Sequence, residues 1–113
     1  MTDQINSLLA SLKANTATFN DVLIFIESHY LYNPTAFKNG DVYNEDSQNQ
    51  GSAKVFAFAQ IHNLNEEDTL SLFAEHYHSV LAQPNAVDHQ NIRQFMIHGW
   101  PGVEFDGVVL TLK

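Results

Sequence analysis

The chain has 113 residues, 44% of them hydrophobic, and carries 13 Asp and Glu against 5 Lys and Arg for a formal net charge of −8. That length holds one domain with one core and leaves no room for a second. Its charge, with Lys13, Lys38, Lys54, Arg93 and Lys113 scattered, argues against nucleic acid and anionic membrane surfaces as partners, and the absence of cysteine excludes disulfides, thiolate nucleophiles and cysteine-bound metal centres.

Ile5, Leu8, Leu9 and Leu12 recur at helical spacing and predict a first helix ending near Asn15-Thr16. No basic region followed by a long apolar run opens the chain, and the helical pattern from Ile5 leaves little space for a flexible leader. No apolar run reaches membrane-spanning length, so the cytoplasm is the expected compartment. Thr18 with Asp21 reads as the cap of a second helix, whose stripe is Phe19, Val22, Leu23, Ile26 and Tyr30. Ile24 and Phe25 fall off that stripe, which makes this helix the expected centre of the core. From Leu31 to Gln50 the residues are those of turns and loops, with Asn39-Gly40 able to close a short hairpin of type I′ geometry.

Ala53 to Ile61 suits either a strand or a helix and is read as a helix capped by Ser52. Asn65, with Asp68 three residues on, caps another in which Leu70, Phe73, Ala74, Tyr77 and Leu81 form one buried stripe as far as Pro84. Asp88 caps a last helix with Ile92, Phe95 and Met96 inward and Gly99 at its end. Val103 to Phe105 and Val108 to Leu112, around Asp106-Gly107, predict a C-terminal β-hairpin. The expected fold is therefore α+β and predominantly helical, with about five helices, that hairpin, and a second short hairpin near Asn39-Gly40 left open.

Six histidines invite a metal reading, since imidazole is a common ligand for transition metals. His76 and His78 project from opposite flanks of a helix, and the H-x-x-x-H spacing occurs nowhere, so neither a metal site nor a cofactor is expected. Asp88, His89 and Arg93 could tune a general base, because a carboxylate raises imidazole proton affinity and a cation lowers it. The plainer reading gives Asp88 a capping role and has Arg93, the single arginine, brace a loop. Gly51-Ser52-Ala53-Lys54 sets a hydroxyl and an ammonium at a helix start, where anions are favoured, and plain capping by Ser52 competes with that reading.

Several blocks together carry a wider likeness. They are Tyr30-x-Tyr32-x-Pro34-Thr35-Ala36-Phe37-x-Asn39-Gly40, Gly51-Ser52-x-Lys54-x-Phe56-Ala57-Phe58-Ala59, Asp88-His89-x-Asn91-Ile92-Arg93-x-Phe95-Met96 and Gly99-Trp100. In that order they resemble the HopJ type III effector family from about Phe19 to the C-terminus. Ala53 stands where that family often has cysteine, which argues against indispensable thiol chemistry there. The resemblance implies secretion by a type III system as an alternative to a cytoplasmic role, and it brings no catalytic residues.

The leading expectation is a pocket for a small polar or anionic ligand, built from Tyr32, Asn39, Ser52, Lys54, Asp88, His89 and Arg93. An alternative is a protein-interaction module presenting Tyr32, Phe37 and Trp100, and a third is a metal-dependent enzyme using His76 or His89.

Overall fold

The computed structural model describes all residues from Met1 to Lys113. In chain order the elements are α1 (Thr2–Lys13), α2 (Phe19–His29), β1 (Tyr30–Tyr32), β2 (Phe37–Asn39), β3 (Val42–Asn44), α3 (Gln50–Ile61), α4 (Glu66–Ser71), α5 (Glu75–Ala82), α6 (Gln90–His98), a 3₁₀ turn (Trp100–Gly102), β4 (Val103–Phe105) and β5 (Leu110–Leu112). The fold is α+β and predominantly helical, with two small antiparallel sheets ordered β1-β5 and β3-β2-β4. No helix is long and apolar enough to cross a membrane.

The C-terminal strands exist but do not form the expected hairpin. β4 pairs with β2, setting Phe37 opposite Phe105, whereas β5 pairs with β1, setting Tyr30 opposite Leu112. A type I′ turn needs positive φ at both central residues, and neither Asp106 nor Gly107 has it. Asp106 instead donates its N–H to Ala36 O. An isolated hairpin is marginal in water, and here each strand joins a partner from earlier in the chain. The second hairpin is present as β2–β3, but its turn falls one residue later than Asn39-Gly40. Asn39 pairs with Val42, and Gly40, at φ +58°, opens the reversal.

The centre of the core is α3, not α2. Ala53 and every residue from Val55 to Ala59 are buried, whereas Val22 and Ile26 are the fully enclosed residues of α2 and Ile24 is 54% exposed. The alanines of α3 let neighbouring elements approach from all sides, and its large rings fill the space between them. Phe56 meets Phe95 at 5.0 Å and Phe73 at 5.3 Å between centroids, within the range of favourable aromatic pairs.

Six helices replace the expected five because the stripe from Leu70 to Leu81 is broken. Ala74 adopts φ +51°, ψ −122°, a conformation costly for any residue with a Cβ, and separates α4 from α5. Leu81 is consequently exposed, as is Met96 on α6. Gly99, at φ +62°, ends α6 as expected, and the Thr18–Asp21 capping box is formed in full.

Candidate functional site

The starts of α2, α3, α5 and α6 converge on an open cavity of about 330 Å³. Asn49, Ser52, His76, His89 and Asn91 supply its polar wall, and Phe19 and Phe73 its apolar one. The first N–H groups of a helix have no partner within it, and the peptide dipoles leave that end partly positive. How each start is satisfied therefore decides what the cavity can hold.

Two of the four are met by acids of the chain itself. Asp21 completes the capping box of α2, and Glu75, in the first turn of α5, accepts the N–H of Phe19 at 2.8 Å. Burial, the largest single influence on the Glu75 carboxyl, works against ionisation. It is outweighed by the backbone donors of Phe19 and Glu75 itself and by neighbouring His76, so the pKa falls below the usual glutamate value.

The other two starts are different. Neither α3 nor α6 has a side-chain cap or an acidic residue in its first turn. Both are entered through a left-handed residue, Asn49 at φ 51° and His89 at φ 52°. These take the capping positions expected for Ser52 and Asp88, so both of those assignments are corrected. Ser52 lies inside the first turn of α3, on the cavity wall. The Asp88 carboxylate turns to Arg93, with Nη2 donating to Oδ1 at 2.9 Å, and that bond depresses its pKa.

An asparagine network, buried at Asn39, Asn44 and Asn91 and reaching the surface at Asn49, fixes the two bare starts relative to each other. Asn44 Oδ1 accepts from Asn49 Nδ2 at 2.8 Å and from Asn91 Nδ2 at 3.0 Å, so one oxygen on β3 holds the beginnings of both α3 and α6. Asn44 Nδ2 donates back to Asn91 Oδ1 at 3.1 Å. Asn39, wholly buried, adds donation to the carbonyl of Asn91 at 2.8 Å, while its own Oδ1 has no partner.

The residues singled out from sequence thus separate. Ser52 and His89 line the cavity, and Asn39 lies in the network behind it. Tyr32 and Lys54 form a different cluster, in which Lys54 Nζ sits 4.3 Å from the Tyr32 ring centroid and 3.5 Å from Glu27. The Tyr32 hydroxyl donates to Gln50 Oε1 at 2.6 Å, and its pKa is raised by burial and then by Asp46. Arg93 braces its loop, donating to the carbonyls of Asp88 at 2.6 Å and Pro84 at 3.1 Å. Each of these cations is held by its own carboxylate, and no ion pair or hydrogen bond joins them. Of the rings expected to face a protein partner, Phe37 is fully buried and Tyr32 and Trp100 are half-buried.

Asn49 and Asn91 line the cavity without being singled out by the sequence, and His76 is one that the sequence offers only as an alternative metal ligand. Its spacing excludes chelation with His78, yet its neighbour across the fold is His89, with ring centroids 5.1 Å apart. Only tertiary structure brings those two together. For the asparagines, the density of Asn between Asn39 and Asn49 was the one available signal, and such clusters also mark turns.

The family profile of the HopJ type III effector protein matches residues 5–110. The chain belongs to the HopJ family. The fold of this HopJ member also matches the crystal structure of VPA0580, a protein of unknown function, at 39% identity and a TM-score of 0.88, covering 96% of this chain and 92% of that one. No curated protein matches the chain.

Proposed function

We propose that this HopJ protein binds a small polar anion in the cavity where α3 and α6 begin. The observation that supports it most directly is that these are the two helices of the molecule with neither a side-chain cap nor an acid in the first turn, and both open on one cavity. Convergent backbone N–H groups and positive helix ends favour an anion there. Ser52, Asn49 and the imidazoles of His76 and His89 add donors, and Phe19 and Phe73 give an apolar wall for the rest of the ligand. No Lys or Arg lines the cavity, so recognition comes from the backbone and neutral side chains.

Native mass spectrometry of untagged protein, purified at low salt, tests the reading. A retained small anion that inorganic phosphate displaces, and that Ser52→Asp no longer holds, is expected. A protein that retains nothing and takes up no phosphate, or a Ser52→Asp variant that binds as wild type does, overturns it.

A protein partner is the second reading, and one observation favours it. Leu81, Met96 and Ile97 are exposed around another cavity of about 330 Å³ between α5 and α6, and exposed apolar groups gathered in one place mark contact surfaces. Ile97→Glu would abolish capture of such a partner while leaving anion binding intact. Delivery by a type III system is part of this second reading and is supported by the family's name; a translocation reporter fused to the full chain measures it.

A further inference from the structure

His76 and His89 come from different elements, and each is placed by an unusual backbone. Ala74, at φ +51° and ψ −122°, turns the chain just before α5 and so sets where His76 points. His89 itself holds φ 52° as the residue that opens α6. Strained backbone that persists near a cavity is a pointer to function. What the two conformations achieve together is an imidazole pair on the cavity wall, with centroids 5.1 Å apart and planes inclined by 37°.

That spacing has a chemical meaning. Two imidazoles bound through nitrogen to one tetrahedral ion, at about 2.0–2.1 Å per bond, place their ring centroids roughly 5 Å apart. Asp88 Oδ2 lies 3.9 Å from His89 Nε2, beyond hydrogen-bond distance, so the carboxylate adds negative charge beside the pair without fixing which ring nitrogen an ion would take. No group of three His, Asp or Glu side chains gathers there, so the chain supplies two ligands and the remaining positions stay open to water or to a bound anion.

We propose that His76 and His89 are the protein half of a transition-metal site, for an imidazole-preferring divalent ion such as Zn²⁺ or Cu²⁺. The proposal deepens the anion-site reading and rests on it in one respect, the anion that completes the coordination. The positive ends of α3 and α6 oppose a bare cation. An anion held by those ends and bound to the ion removes that opposition, so ion and anion bind cooperatively, each raising the affinity of the other by the same factor.

The test uses Cu²⁺ and Zn²⁺ added to metal-free, untagged protein. Electron paramagnetic resonance of the one-to-one Cu²⁺ complex should show two imidazole nitrogens. Zn²⁺ affinity, measured by calorimetry, should fall at least tenfold in His76→Gln and in His89→Asn, the latter chosen because asparagine tolerates positive φ. His78→Gln and His62→Gln should bind as wild type, and inorganic phosphate should tighten Zn²⁺ binding in the wild type. No binding, a single-nitrogen spectrum, or loss confined to His62→Gln or His78→Gln overturns the site; the wild-type spectrum decides even if a variant fails to fold. The two readings fail separately. Phosphate binding without Zn²⁺ binding removes the ion alone, whereas Zn²⁺ binding indifferent to phosphate removes the anion.

Discussion

The starts of α2 and α4 and those of α3 and α6 are made from the same backbone and are finished in opposite ways. Thr18 and Asn65 accept from the third N–H of their helices, and acids follow in the first turn, so α2 and α4 are complete within the chain. α3 and α6 have no such partners, although Asn49 and His89 occupy the capping positions. The amide of Asn49 is engaged elsewhere, donating to Asn44. The finished start of α2 and the unfinished starts of α3 and α6 border the same cavity, so the difference between them lies in how the chain answers their N–H groups and not in where they point.

The largest effect should come from breaking what holds the two bare starts together. Asn44→Leu removes the oxygen that accepts from both Asn49 and Asn91 and leaves the buried Asn91 amide without that acceptor, a loss of about 2–4 kcal/mol in chemical denaturation. A loss under about 0.5 kcal/mol would mean that water serves those amides as well as Asn44 does.

Next in size is the capped class. Thr18→Ala removes the acceptor for Asp21 N–H and should cost about 1 kcal/mol while leaving anion binding at the wild-type value. Ser52→Asp is its mirror. An acid in the first turn of α3 should be neutral or stabilising by about 0.3–1 kcal/mol, and it should abolish anion binding by occupying the same positive end. If Ser52→Asp destabilises the fold, the start of α3 is not short of negative charge and the comparison fails.

The smallest effect is in pH. The folded-state pKa of Glu75 lies below the ordinary value of 4.5, so its contribution is present above pH 4.5 and is lost as pH falls through the folded pKa, where the unfolded chain binds a proton first. Glu75→Gln should flatten that part of the acid denaturation curve. His62 acts in a higher window. Burial, and then the N-terminal ammonium, lower its pKa from 6.5, so stability declines as pH drops below 6.5, and His62→Gln should remove that component. Circular dichroism melts from pH 7 to 3 separate the two.

Much of the fold was legible in the sequence because it is written locally. Spacing of Ile5, Leu9 and Leu12 defined α1, the Thr18–Asp21 pair fixed the start of α2, and Asn65 with Asp68 did the same for α4. Misreadings arose where tertiary contacts override a local preference. Asp106-Gly107 resembles a hairpin turn, yet each flanking strand finds a better partner elsewhere, and no glycine or proline announces the break at Ala74. The site was less legible for a related reason. Scarce cations drew attention to Lys54 and Arg93, but Glu27 and Asp88 already answer them, and what is left unanswered is backbone, which has no letter of its own in the sequence.

One titration tests the central claim directly. Backbone ¹H–¹⁵N spectra of the wild-type protein, followed during addition of inorganic phosphate and of small dicarboxylates, should show the largest shifts at Gly51, Ser52, Gln90 and Asn91. Lys54 and the Arg93 guanidinium should stay near their starting positions. Shifts centred on Lys54 or Arg93, or none at either helix start, would contradict the account.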